Sequence, residues 1–328
     1  MNEKVFLTRE IPDEGIKMLK RAELKVEIYE GDKLIPRREL LRRVKGKNVI
    51  LSMLTEKIDK QVMNAAGPSL KMIANYAVGF DNIDLTAAKQ RGIAVVNAAC
   101  PEISESVAEH TIALLFALAH RIVEGDHFTR TGKYKGWEPK LLLGTDIIGK
   151  TLGIVGSGGI GTNVIRRMSD GFGVSILYHD VQHNTKLEKK FGAKFVTLPQ
   201  LLKHSDFVSL HVPLLPATHH LISDTQFKLM KPTAFLINTA RGPIIDSAAL
   251  VRALKTKRLA GAALDVFENE PAFARRKEDA NYLQHAWHVI LTPHTASATI
   301  ETRQAMSRIA AWNILAYISG KIPANLVR

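Results

Sequence analysis

Cysteine is almost missing from this chain: Cys100 is the only one among 328 residues. A single thiol closes no disulfide within the chain, so a packed core must hold the fold, and a reducing cytoplasm suits it. Cys100 itself reads as inert packing rather than as a nucleophile. Long apolar runs are also lacking. The longest, Thr111 to Ala119 between two histidines, is too short to span a bilayer. Met1-Asn-Glu-Lys-Val leads directly into strand-like and helix-like pattern, so no signal peptide is expected. No repeat of fixed period and no low-complexity segment is visible. Acids are scarce, 32 against 45 Lys and Arg, for a net charge of +13. That balance invites a nucleic-acid reading. However, the densest basic run, from Arg37-Arg38 through Arg42-Arg43 to Lys45 and Lys47, has no interleaved aromatics and reads as a solvated helix face. Attraction of an anionic cofactor and substrate explains the charge more simply, with no nucleic acid or membrane as partner.

What is present is ordinary globular composition, 46% apolar and 23% charged, in a length that suits about two domains. Strand-like runs alternate with helical patterns through the first hundred residues, at Lys4–Leu7, Lys25–Tyr29, Asn48–Leu51, Lys71–Tyr76 and Ala94–Val96. This is the rhythm of a parallel α/β sheet. Helical spacing then predicts a long helix over Ser104–Arg121. A second alternation follows, with strands at Leu152–Val155, Ser175–Tyr178, Phe207–Val212, Ala234–Asn238, Gly261–Val266 and Val289–Leu291. A last helix is expected over Ile300–Ser319.

The second alternation opens on Leu152-Gly-Ile-Val-Gly-Ser-Gly-Gly-Ile-Gly161, a buried-strand pattern breaking into G-x-G-x-x-G. Gly156 permits the tight turn, Gly158 lets backbone approach a pyrophosphate, and Gly161 lets the helix pack on the sheet. Gly159 and Ile160 lie between, where the helix N-terminus offers free N–H groups to phosphate. Asp180 follows Gly161 by 19 residues at the end of the next strand pattern. A carboxylate there accepts from a ribose 2′-OH and repels a 2′-phosphate, which favours NAD over NADP. About 150 residues precede this motif, which usually opens its domain. We therefore expect two doubly wound parallel-sheet domains, with a Rossmann cofactor domain (101–294) inserted into a flavodoxin-like substrate domain (1–100 plus 295–328). Their cleft is expected to hold the nicotinamide.

Three polar residues fall just past predicted strand ends, where open α/β sheets bind ligands. They are Arg241 in Asn238-Thr-Ala-Arg-Gly, Glu270 in Asp265-Val-Phe-Glu-Asn-Glu-Pro, and His294 in Leu291-Thr-Pro-His. A guanidinium fork binds a carboxylate and polarises the neighbouring carbonyl. A histidine exchanges a proton with the carbonyl oxygen, and a carboxylate orients that imidazole. The set suits reversible hydride transfer, although each residue alone also reads as a surface cation, a turn acid or a loop histidine.

At these residues the chain resembles the D-isomer-specific 2-hydroxyacid dehydrogenases. The resemblance rests on Gly149–Gly161, Met230–Gly242, Gly261–Pro271 and Leu291–His294, and runs from end to end. Within that family, Ala74–Asp84 and Gly136–Gly144 look most like glyoxylate/hydroxypyruvate reductases. The resemblance implies reduction of a small 2-oxo acid with NADH, with Arg241, Glu270 and His294 as catalytic residues. It implies that the Val78 and Gly79 backbone receives the substrate carboxylate and that Leu54 lines the pocket. It also implies that Asp265 contacts the nicotinamide carboxamide, that Thr239 and Ala240 pass beside the ring, and that His211, Val212 and Pro213 border the cofactor. The family is dimeric through the long helix and the arm after it. Trp137 in that arm either reaches the partner's active site or packs in the core.

Three departures stand out. Gly159 sits where relatives often carry arginine or alanine, removing one possible pyrophosphate contact. The loop Asn97–Ser104 lacks the usual Pro-Gly and is one residue longer. The stretch Ala274–His288 is longer and adds His285 and His288, but no carboxylate or cysteine at ligand spacing joins them, so no metal is expected. Val78 stands where a phosphite dehydrogenase would place lysine, and Glu270 disfavours a formate dehydrogenase. Open alternatives are a 2-ketogluconate reductase and, in another class, a non-catalytic NAD-sensing scaffold like the corepressors of this fold.

Overall fold

A computed structural model describes residues 3–31 and 33–327; Met1, Asn2, Asp32 and Arg328 lie outside the described residues. The chain divides into two compact units, Met1–Ile103 with Ala298–Arg328, and Ser104–Ser297.

The first unit is built on five parallel strands: β1 (Lys4–Leu7), β2 (Lys25–Ile28), β3 (Val49–Ser52), β4 (Met72–Asn75) and β5 (Ala94–Val96). Their order is β2-β1-β3-β4-β5, that of flavodoxin-like sheets. Val5, Phe6, Leu7, Val49, Ile50 and Leu51 are buried without alternation, because helices cover both faces of a parallel sheet. Two of those helices start on acidic caps. Asp59 accepts from the N–H groups of Gln61 and Val62, and Asp84 accepts from Ala87. The final helix, Ile300–Ile318, packs on helix Asp13–Arg21. Their approach is tight enough to require glycine: a Cβ on Gly15 would stand 2.3 Å from the Ser307 carbonyl oxygen. Ser307 Oγ accepts from Gly15 N–H at 3.0 Å and donates to the Pro12 carbonyl at 2.5 Å.

The second unit holds seven parallel strands: β6 (Thr151–Val155), β7 (Ser175–His179), β8 (Lys194–Phe195), β9 (Phe207–Leu210), β10 (Phe235–Asn238), β11 (Gly261–Leu264) and β12 (Val289–Leu291). Their order is β12-β11-β10-β9-β6-β7-β8, so the winding reverses between β6 and β9. That reversal is the switch point at which a Rossmann sheet binds its dinucleotide. One face packs Val164, Ile165 and Met168 with Leu114, Leu115 and Leu118; the other gathers Leu201, Leu236, Leu250 and Leu254.

The strands fall within two residues of the sequence expectations, except that β8 makes seven where six are expected. It is two residues long and begins on exposed Lys194, too short for a periodicity to register. The long helix runs over Pro101–Ala119 rather than Ser104–Arg121. Pro101 suits a first helical turn, where no N–H is needed. At the other end Arg121 takes a left-handed φ of 53° and a second helix, Ile122–Arg130, begins. That break carries neither glycine nor proline, so the sequence offers no signal for it. The unusual loop after β5 is held at several points. Ala98 N–H donates to the Ala77 carbonyl at 2.9 Å. Asn313 and Asn325 donate to the carbonyls of Asn97 and Ala99 at 3.1 and 2.9 Å.

Candidate active site

The glycine loop has the stereochemistry its spacing predicts. Gly156 adopts a φ of 96°, and a Cβ there would meet the His211 carbonyl carbon at 2.8 Å. Gly158 caps helix Gly159–Phe172 with no side-chain hydrogen bond, and a Cβ on it would meet nothing within 4 Å. The backbone at Gly158 is therefore open on its Cβ side, and no side chain caps the helix N–H groups. At Gly161 a Cβ would stand 2.1 Å from the Gly156 carbonyl oxygen, so the loop closes only on glycine. Gly159 has a local cause as well. A Cβ at this position would come within 2.9 Å of Ser104 Oγ, so that serine must turn away to admit any larger residue.

Asp180 follows β7 beside this loop. Its Oδ2 accepts from Ser157 N–H at 2.7 Å and Ser157 Oγ at 2.8 Å, and its Oδ1 accepts from Val181 N–H at 2.7 Å. Burial works to raise its pKa, but these donors and nearby His179 outweigh it and hold the carboxyl below its usual range. The acid therefore favours its ionised form.

His211, Val212 and Pro213 follow β9 across the switch point. His211 N–H extends the ladder to the Val155 carbonyl at 2.7 Å, but its strand ends at Leu210 rather than Val212. Its Nε2 meets Ser209 Oγ at 2.9 Å. Burial pushes the His211 imidazole down to about 3, so it is neutral at physiological pH.

The three residues read as catalytic lie after β10, β11 and β12. Asn238, buried at the end of β10, accepts from Ala240 N–H at 3.0 Å and donates to the Arg241 carbonyl at 2.9 Å. It thereby shapes the turn through Thr239 and Ala240, while Arg241 Nη1 donates to the Ala240 carbonyl at 2.8 Å. Thr239 Oγ1 lies 2.9 Å from Thr111 Oγ1, a buried hydroxyl pair just past the end of β10. After β12, His294 takes a left-handed φ of 54°, strained for a side chain with a Cβ. Its N–H donates to the Asp265 carbonyl at 2.8 Å, and its Nδ1 lies 3.0 Å from Glu270 Oε2. An ionised carboxylate only accepts, so Nδ1 carries the hydrogen and Nε2 is left for proton exchange. Glu270 is held in turn by Phe267 N–H at 3.0 Å from Oε1.

Asp265 directly follows β11. Its side chain has no exposure and accepts from Thr292 Oγ1, Thr295 N–H and Ala296 N–H at 2.6, 2.9 and 2.9 Å. His110 lies 3.5 Å away. Burial would raise this carboxyl, yet His110, Thr292 and the two N–H groups together bring it below its usual range. What these contacts hold is the loop that carries His294. His110 and Asn238 are residues that sequence reasoning missed; the signal for Asn238 was a polar amide at the end of a buried strand.

In the first unit, Leu54 lies in the turn after β3, where buried Glu56 Oε2 accepts from Met53 N–H and Thr8 Oγ1, both at 2.7 Å. The Val78 and Gly79 carbonyls accept from Asn97 and Asn75 side chains, both at 2.8 Å, which orients that loop. Trp137 is 83% exposed, which removes the core-packing alternative within its own chain. His285 and His288 do not meet: Nδ1 of the first bonds the Asn281 carbonyl, and Nε2 of the second lies 3.3 Å from the Tyr282 hydroxyl.

Residues 112–296 match the model of the D-isomer specific 2-hydroxyacid dehydrogenase NAD-binding domain. A glyoxylate reductase of Pyrococcus furiosus is 46% identical over 332 residues, covering 100% of this chain and 96% of that relative. The TT0316 protein of Thermus thermophilus superposes with a TM-score of 0.91 at 40% identity, covering 99% and 100% of the two chains. The D-lactate dehydrogenase of Aquifex aeolicus, solved with NAD and lactic acid, gives 0.86 at 30% identity over 99% of each. The glycine loop and held acid fit the cofactor named in that match, and the likeness extends over the whole length. The chain belongs to the D-isomer specific 2-hydroxyacid dehydrogenases and is an NAD-binding oxidoreductase acting on CH–OH groups.

Proposed function

We propose that the protein reduces a short 2-oxo acid, glyoxylate or hydroxypyruvate, to the corresponding 2-hydroxy acid, the D-isomer where the product is chiral. The observation that carries this reading is the Glu270–His294 pair, a 3.0 Å contact that fixes one imidazole nitrogen and leaves the other to exchange a proton. When bound, NADH supplies the hydride to the carbonyl carbon. Arg241 binds the substrate carboxylate and draws charge onto the carbonyl oxygen. His294 Nε2 delivers the proton to that oxygen, and Glu270 holds Nδ1 and steadies the imidazolium that precedes transfer. By the family resemblance, the Val78 and Gly79 backbone and Leu54 contribute to substrate binding. The 46% identity to a glyoxylate reductase supports a substrate of this size. Turnover of glyoxylate, hydroxypyruvate, pyruvate and 2-ketogluconate with NADH and NADPH is the direct test. The first two with NADH should give the highest kcat/KM, and a higher value for 2-ketogluconate would replace the proposed substrate.

The active form is a homodimer, and the reducing cytoplasm is its compartment. Helix Ile122–Arg130 has no buried residue, and Ile122, Val123, Trp137, Leu143 and Ile148 are 51–83% exposed. Apolar surface so grouped along one segment is the mark of a protein contact. Sedimentation velocity should give a species of twice 36.3 kDa. A monomer at micromolar concentration would leave Trp137 without the partner's site to enter.

A further inference from the structure

Two carboxylates lie two residues apart in the segment after β11, and only Glu270 has a part in the chemistry above. Glu268 is turned inward, with its side chain 3% exposed. It accepts from Ser247 N–H at 3.0 Å, from Ser247 Oγ and from His220 Nε2 at 2.8 Å, and forms an ion pair with Arg275 Nε at 2.9 Å. Burial would raise this carboxyl; the donors outweigh burial and keep it below its usual range. These partners come from three separate stretches of chain. Ser247 opens helix Ser247–Lys255, directly after the turn that carries Arg241. His220 belongs to the loop after β9 and its N–H donates to the Pro243 carbonyl at 2.8 Å, within the same turn. Arg275 follows the turn that carries Glu270.

Backbone joins backbone at the same place. A Cβ on Gly242 would lie 1.9 Å from the Phe267 carbonyl carbon and 2.4 Å from Glu268 N, so the Arg241 turn rests directly on residues 267–268. Phe267 N–H in turn donates to Glu270 Oε1. Movement of residues 267–268 is thus passed to Arg241 on one side and to the Glu270–His294 pair on the other.

We propose that Glu268 is a positioning residue, a buried anionic clamp that fixes the Arg241 turn against the Glu270 turn and so sets the substrate-binding cation relative to the proton-relay pair. The proposal rests on the catalytic reading of Arg241, Glu270 and His294. Glu268→Gln keeps the size and an acceptor for Ser247, but sets an amide donor against His220 or Arg275, so the clamp loosens.

A double-mutant cycle separates positioning from simple structural support. In the otherwise wild-type enzyme, Glu268→Gln is expected to lower kcat with glyoxylate about tenfold while the Kd for NADH changes less than twofold. In a Glu270→Gln background the same change is expected to cost less than threefold, because the relay it positions is already gone. An equal loss in both backgrounds, or unchanged kcat in the first, overturns the proposal. Should Glu268→Gln fail to fold, Ser247→Ala removes the hydroxyl contact, keeps the backbone N–H one, and is read through the same cycle. Glu270→Gln alone with wild-type turnover would instead overturn the catalytic reading beneath it.

Discussion

Arg241→Gln is expected to lower kcat/KM for the 2-oxo acid by ~10³-fold while the Kd for NADH stays within about threefold. Glutamine keeps a hydrogen-bond donor but loses the positive charge and the planar fork that grips a carboxylate at two points. Both functions assigned to Arg241 fail together, since one cation anchors the substrate and stabilises charge arriving on its carbonyl oxygen. A thousandfold loss corresponds to about 4 kcal/mol, within the range seen when one such donor is removed. The fold should survive, because the Arg241 turn is shaped mainly by backbone contacts. Asn238 holds the Ala240 N–H and the Arg241 carbonyl, and neither bond involves the guanidinium. Steady-state kinetics with fluorescence titration of NADH would settle it. Activity within threefold of wild type would remove Arg241 from the mechanism.

His294→Ala is expected to cost ~10²–10⁴-fold in kcat, the usual worth of a positioned acid or base. The pH profile carries the sharper expectation. Reduction needs a protonated donor at the carbonyl oxygen, so wild-type activity falls on the alkaline side of its profile. This limb should vanish in the variant, with the residual rate flat across it. His211 gives no rival source: its imidazole is pushed down to about 3 and is already neutral throughout the assay range. A limb that persists in His294→Ala would assign the proton to another group.

The glycine loop was legible because each of its constraints is local. A φ of 96° at Gly156 and a 2.1 Å approach at Gly161 leave no other residue type, so the pattern survives in the sequence. The strand-end positions of Arg241, Glu270 and His294 were legible for a related reason: short apolar runs mark strands, and ligand groups follow their ends. Which of two neighbouring acids faces outward was not legible from spacing. Glu268 and Glu270 share one turn, yet one side chain is 3% exposed and the other 32%. That difference comes from Ser247 and His220, distant in sequence, and from Arg275 in the segment that follows. Asp265 shows the same limit. Its enclosure follows from the return of residues 292–296 onto the end of β11, a long-range contact that no local pattern encodes. Helix Ile122–Arg130 was missed because its start is set by a left-handed arginine rather than by a breaker residue.

Reduction of a 2-oxo acid by Arg241, Glu270 and His294 with hydride from NADH is expected to give the D-configured product. Chiral analysis of the glycerate formed when the purified enzyme consumes NADH with hydroxypyruvate should return stoichiometric D-glycerate. L-glycerate, or no NADH consumed with either hydroxypyruvate or glyoxylate, would overturn the catalytic reading.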